Sequence, residues 1–251
     1  MPPPSAPSLT FEGVTKRFGD TVAVDDVSLD IAPGAFVALV GQSGSGKSTL
    51  LKTVNRLVEP SAGRVLIDGA DVAEGPAPAL RRSVGYVFQD VGLFPHRTVA
   101  ENIDLPLRVA GSRESRAAEM LALVELPAEI GARRPAELSG GQRQRVGVAR
   151  ALATAAKLLL MDEPFGALDP VTRASLGGKV RELHDRLGLT TVMVTHDMAE
   201  ALLLATRVVV MAAGRVVADA TPRELLGGAG GEAAQALVAV PREQARRLAA
   251  L

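Results

Sequence analysis

The apolar stretch Phe36–Val40 runs directly into Gly41-Gln42-Ser43-Gly44-Ser45-Gly46-Lys47-Ser48-Thr49. A buried strand, a glycine-rich turn and a helix must therefore meet at one point. Gly41, Gly44 and Gly46 permit backbone conformations that aim successive N–H groups inward. The helix starting near Gly46 adds the positive end of its dipole, and Lys47 adds a point charge. Such a cradle suits the phosphates of a nucleoside triphosphate accompanied by magnesium.

Thr21–Val24 and Val27–Ile31 carry period-2 patterns that stop at Pro33-Gly34, which predicts an antiparallel β segment beside the loop. Further buried-strand runs occur at Arg64–Asp68, Val84–Phe88, Lys157–Asp162, Thr190–Thr195 and Arg207–Met211. Helical patterns at Ser48–Val58, Val171–Leu187 and Met198–Ala205 lie between several of them. The alternation predicts an α/β fold with a mainly parallel sheet. Between about residues 90 and 153 the strands stop, and Val99–Val109, Ser112–Leu126 and Gln142–Ala153 read as helices broken by Pro127 and Pro135. This is expected to be an inserted helical lobe of a domain spanning residues 8–226. The tail, residues 227–251, is alanine-rich and glycine-interrupted, with a short surface helix expected from Pro241 to Leu251.

A chain of 251 residues accommodates one catalytic unit with such an insertion. Although 47% of its residues are hydrophobic, no uncharged apolar stretch approaches the roughly 18 residues that cross a bilayer, so the chain is expected to be soluble. Residues 1–7, Met1-Pro-Pro-Pro-Ser-Ala-Pro7, lack the basic start and apolar block of a signal peptide and read as a short disordered leader. With no cysteine there is no disulfide, thiol nucleophile or thiolate metal site, which fits a reducing cytosol. The 28 basic and 28 acidic residues cancel, which argues against a nucleic-acid partner.

Two further motifs carry chemistry. Leu158–Met161 is followed by Asp162-Glu163, which sets two carboxylates at the carboxyl end of a buried strand, where open α/β sheets bind ligands. In a triphosphatase the first can hold magnesium and the second can take a proton from the attacking water; a solvated turn is the plainer alternative. Leu138-Ser139-Gly140-Gly141-Gln142 precedes a helical run, which suits either a second anion site or an ordinary serine N-cap. His184 lies in a polar helical stretch and is expected at the surface.

The order Gly41–Thr49, Gln89, Leu138–Gln142, Leu158–Glu163, Ala167-Leu168-Asp169 and His196 resembles the ATP-binding-cassette ATPase family, from about Leu9 to Leu226. The resemblance implies a P-loop NTPase core with an antiparallel β subdomain and a helical subdomain, and it assigns roles. Phe18 matches the aromatic that stacks on adenine, although tyrosine is commoner there. Gly41 to Thr49 would hold the triphosphate, with Lys47 on the β- and γ-phosphates. Ser48, Gln89 and Asp162 would attend magnesium, and Gln89 would also sense the attacking water. Glu163 would be the catalytic base, and His196 would bond the γ-phosphate. Members work as head-to-tail pairs, which implies a homodimer in which Ser139, Gly140, Gly141 and Gln142 of one copy close on the ATP of the other and Asp169 couples the two sites.

Within the family, Thr53–Pro60, Gly92–His96, Pro164–Arg173 and Thr195–Ala201 are similar to importer ATPases for glycine betaine, carnitine or choline. Arg97-Thr98 and Thr154–Ala156 depart from the commoner Met-Thr and Ala-Asp-Pro. The similarity implies an ATP-hydrolysing subunit at the cytoplasmic face of the membrane, bound to a permease and served indirectly by an extracytoplasmic solute-binding protein. Phe94 and Pro95, expected in an exposed loop, offer an apolar contact for a partner helix, with a buried loop anchor as the alternative. Import of another small solute, such as an amino acid, and a soluble machine acting on nucleic acid or ribosomes are the competing readings. A P-loop kinase would leave Leu138–Gln142 without a role. Many relatives carry regulatory modules after the cassette, and none is expected within these 251 residues.

Overall fold

β3 (Phe36–Val40) is buried at every residue, and its alternate side chains belong to two different cores. Phe36, Ala38 and Val40 face one, and Val37 and Leu39 face the other. A strand covered on both sides can be apolar throughout, which is why its sequence reads as an unbroken hydrophobic run. The computed structural model, which describes residues 6–154 and 156–249, builds outward from this strand.

β1 (Leu9–Phe18) and β2 (Thr21–Ile31) precede β3. After it come α1 (Lys47–Val54), β4 (Ala62–Ile67), β5 (Ala70–Asp71), α2 (Ala77–Ser83) and β6 (Val84–Val87). A wholly helical stretch follows: α3 (Val99–Val109), α4 (Ala117–Leu123), two 3₁₀ turns at Ala128–Ala132 and Pro135–Glu137, and α5 (Gly140–Leu152). The chain then returns to the sheet with β7 (Leu158–Asp162), α6 (Pro170–Leu187), β8 (Thr190–Val194), α7 (Met198–Leu204), β9 (Arg207–Ala212) and β10 (Arg215–Ala220). It closes with α8 (Pro222–Leu226) and α9 (Gly231–Ala249).

Two sheets result. One is antiparallel, in the order β2-β1-β4-β5; the other runs β10-β9-β3-β8-β7-β6, parallel except for the β9–β10 hairpin. One core fills the space between the sheets, joining Phe11, Val27 and Val65 to Leu39, Leu50 and Leu160. The second lies on the other face, where α6 and α7 pack beside the helical stretch through Ile103, Met120, Val146, Val180 and Met193. Because β3, β7 and β8 are parallel neighbours, their carboxyl ends open on the same edge, and the chemistry-bearing loops follow from there.

Several elements differ from the sequence expectation. β1 went unseen because it bulges: its register shifts between Phe11 and Val14 and again on either side of Lys16, which destroys the alternation that marks a strand. The helix expected over Ser112–Leu126 is confined to Ala117–Leu123, and Asp104 Oδ1 accepts from Arg116 N at its entrance. α9 begins well before Pro241 and continues through it; Ala234 and Val238 are fully buried, and that packing holds the helix despite the missing N–H. Of the expected leader, residues 1–5 lie outside the described residues, and the Pro7 carbonyl accepts from Thr190 Oγ1 at 2.6 Å.

His184 is not at the surface. It is 3% exposed, its Nδ1 lies 2.9 Å from Thr191 Oγ1, and its ring stacks obliquely on Phe36 at 5.1 Å. Burial pushes its pKa below the ordinary histidine value, reinforced by Arg181. The unfolded chain therefore takes up a proton first on acidification. The stability His184 contributes is complete above about pH 6.5 and falls as the pH drops toward its lowered folded value, with a limiting slope of about 1.4 kcal/mol per pH unit. His184→Gln should flatten the fall of Tm between about pH 7 and pH 5, as thermal melts in matched buffers would read. Parallel curves for the two proteins would remove His184 from the acid response.

Candidate active site

The phosphate loop is fixed by two close approaches. A β-carbon on Gly41 would stand 2.1 Å from the Met211 carbonyl oxygen, and one on Gly46 would stand 2.2 Å from that of Ala23. With Gly46 at φ 97°, no side chain fits there without moving the backbone of β2. Inside the loop the Lys47 ammonium donates to Gly41 O and Gln42 O, both at 2.8 Å, and to Ser45 Oγ at 3.2 Å. Burial lowers its pKa from the usual lysine value, opposed by the nearby charges of Glu163 and Asp162. Gln42, Ser43 and Gly44 form the exposed crest of the loop, and Ser48 and Thr49 are half-buried on the first turn of α1.

Asp162 closes the floor of the site at the end of β7, only 1% exposed. Its Oδ1 accepts from Ser48 Oγ at 2.6 Å, and its Oδ2 lies 3.4 Å from Lys52 Nζ. A hydroxyl and a carboxylate this close are the hard oxygen donors that magnesium takes, leaving its other positions to phosphate and water. The chemistry of the site therefore fits that ion.

Glu163 follows with φ 47°, a left-handed backbone unusual for a residue bearing a β-carbon. Its N–H donates to Val194 O at 3.0 Å, which ties it to β8. Its Oε2 lies 3.2 Å from His196 Nδ1, and His196 is mostly exposed, in the loop after β8. Gln89 leaves β6 at the same sheet edge, since Val87 pairs with Met161, but its exposed side chain makes no hydrogen bond among the described residues.

The remaining expected residues stand apart from this cluster. Ser139 caps α5: its Oγ accepts from Gln142 N at 3.2 Å while Gln142 Oε1 accepts from Ser139 N at 2.9 Å. Gly140 is exposed and Gly141 half-buried on the same turn. Asp169 caps α6, accepting from Thr172 N at 3.0 Å and Val171 N at 3.1 Å, bonds that hold its pKa below the usual carboxylate value. Phe18, 53% exposed, ends β1 with Lys16 Nζ 5.0 Å from its ring centroid. Among the described residues no hydrogen bond joins any of these to the phosphate loop.

Two groups escaped the sequence reading. Arg173 donates to Leu168 O at 3.0 Å and to Asp197 Oδ2 at 3.4 Å, strapping the loop of Asp169 to the loop of His196. Gln144 is buried on α5 and donates to the Glu163 carbonyl at 3.1 Å. The available signal was its phase: Gln144 occupies the helical face of Val148 and Ala151, where an apolar residue is expected.

Away from this cluster a cavity of about 560 Å³ opens between α2, β6 and the helical stretch, lined by Leu57, Tyr86, Phe88, Phe94, Pro106 and Val109. Phe94 is 42% exposed in the loop before α3. Buried Arg150 holds the start of that loop, donating to the carbonyls of Val91 and Gly92.

The sheet order, the loop at the end of β3 and the carboxylates at the end of β7 define a P-loop NTPase fold. The particular family follows from comparison: the ABC transporter family model matches residues 24–166, and the chain belongs to that family. It is 49% identical over 223 residues to the glycine betaine/carnitine/choline transport ATP-binding protein OpuCA of Bacillus subtilis (strain 168), covering 87% of this chain. The chain spans 59% of that relative's length. It is 48% identical over 222 residues to the glycine betaine uptake system ATP-binding protein YehX of Escherichia coli (strain K12), which takes in 87% of this chain and 72% of YehX. Among solved structures, the dimeric post-hydrolysis ATP-binding cassette MJ0796 bound to ADP and Pi superposes with a TM-score of 0.79 at 35% identity, covering 86% of this chain and 99% of that one.

Proposed function

We propose that this chain is the ATP-hydrolysing subunit of an importer, working as a head-to-tail homodimer on a membrane permease to drive uptake of a quaternary ammonium solute such as glycine betaine, choline or carnitine. The observation that carries the hydrolytic part of the reading is the placement of Glu163, whose carboxylate sits against His196 at the sheet edge beside the phosphate loop, and the similarity to importer ATP-binding proteins supports the rest.

ATP would enter with its phosphates on the N–H groups of Gly41 to Thr49, and Lys47 would exchange loop carbonyls for phosphate oxygens. Magnesium, held by Ser48 and Asp162, would supply positive charge to the β- and γ-phosphates. Glu163 accepts the proton of the attacking water, while His196 steadies the carboxylate and bonds the γ-phosphate. Phe18 offers a ring face to adenine, and Gln89 reaches the site from the end of β6. The capped start of α5, with Ser139, Gly140, Gly141 and Gln142, would close on the partner copy's ATP. Asp169 would couple the two sites through the strap formed by Arg173. The water oxygen bonds to the γ-phosphorus as the bond to the β–γ bridging oxygen of ADP breaks, and departure of the phosphate then removes the bridging charge and lets the halves part.

The apolar groove around Tyr86, Phe88 and Phe94 would receive the permease, with the solute chosen there and by an extracytoplasmic binding protein. Among the described residues no helix is long and apolar enough to cross a membrane. Its place at the cytoplasmic face would then come through the permease.

Gentle affinity purification from native membranes should recover a multi-span permease, and the complex should show ATPase activity stimulated by a quaternary ammonium compound. Stimulation by an amino acid instead would change the cargo. Recovery with ribosomes or nucleic acid and no permease would overturn the transport reading.

A further inference from the structure

α5 carries its capped amino end at Ser139 and, just beyond it, the buried side chain of Gln144. The Gln144 Nε2 donates to the backbone carbonyl of Glu163 at 3.1 Å. A buried amide is costly to desolvate, so packing alone would favour leucine or methionine at this core-facing position. The amide has instead found the main chain of the residue read above as the base.

That main chain needs holding. Glu163 stands at φ 47°, a conformation that β-carbon sterics oppose. Its N–H is tied to Val194 O, and its carbonyl accepts from Gln144 and, at a longer 3.4 Å, from Gly166 N. Relaxation of the φ angle would swing the carboxylate off His196, now 3.2 Å away. The Gln144 amide thus links the amino end of α5 directly to the backbone of Glu163.

We infer that Gln144 is a positioning residue for Glu163, transmitting the placement of α5 to the base of the same chain. The inference rests on the reading of Glu163 as general base. Since that end of α5 is proposed to meet the partner's nucleotide, Gln144 makes the base of one site responsive to closure of the other.

Gln144→Met keeps length and volume and removes the donor. We expect kcat to fall about 10- to 100-fold, with binding of a fluorescent ATP analogue by the monomer changed less than about two-fold. Gln144→Glu adds a signature that packing cannot imitate. Its carboxyl, when protonated, donates one O–H to the same carbonyl, and burial raises its pKa. Its kcat relative to wild type at the same pH should recover between about pH 8 and pH 6. The Glu variant also carries the test should the Met variant fail to fold. A Met variant with kcat within about two-fold of wild type, or a Glu variant with no recovery on acidification, overturns the role of Gln144. If Glu163→Gln itself leaves turnover intact, it is the base reading that fails, and this inference with it.

Discussion

Glu163→Gln is expected to lower ATP turnover by about 10²- to 10⁴-fold while leaving nucleotide affinity within about two-fold. The amide is isosteric with the carboxylate, so the bonds of Glu163 N–H to Val194 and of its carbonyl to Gln144 persist. Lys47, Ser48 and Asp162, which would hold the triphosphate and its magnesium, are untouched. What would disappear is the proposed proton acceptor, and with it the hydrolysis proposed to part the halves of a closed dimer. The variant should therefore accumulate as an ATP-dependent dimer, visible by size-exclusion chromatography with light scattering, alongside a steady-state phosphate-release assay. Near-normal turnover would remove Glu163 as the base.

Gly141→Asp should abolish cooperative hydrolysis, with kcat falling by about 10²-fold or more and ATP binding to the monomer unchanged. The prediction separates a contact made in trans from one made within the chain. An acidic residue in the first turn of α5 complements the helix dipole, so the isolated fold tolerates it, and Leu168 Cδ2 at 3.3 Å is a flexible end that can yield. In the proposed dimer the same carboxylate would face the partner's triphosphate and repel it. Equilibrium binding of a fluorescent nucleotide to dilute protein, set beside turnover at high protein concentration, distinguishes the cases. A monomer affinity that collapses would place Gly141 in its own chain's site instead.

Legibility in the sequence followed the range of the interactions. The passage from Phe36–Val40 through Gly41–Gly46 into α1 was readable because its signals are local: an apolar run, glycines that take positive φ in the turn, and a lysine at the helix start. Asp162-Glu163 was readable for the same reason, a strand of four apolar residues ending in charge. β1 was not, since bulges scramble its alternation, and α9 was misplaced because tertiary packing overrides the helix-ending tendency of Pro241. His184 looked like a surface residue on a polar helix until Phe36 and Thr191 closed over it.

The chain's residue order thus settles that a glycine-rich turn joins a buried strand to a helix and which carboxylates end a second buried strand. These are properties of short segments whose backbone preferences and burial patterns depend on immediate neighbours. The order does not settle that Ser48 Oγ meets Asp162 across 2.6 Å, that Glu163 turns its carboxylate to His196, or that Gln144 grips the carbonyl of Glu163. Those pairings are distant in sequence and arise from the arrangement β3-β8-β7 and the seat of α5 beside it. Loop-closure entropy and core packing choose that arrangement over the whole chain, and no local pattern encodes it.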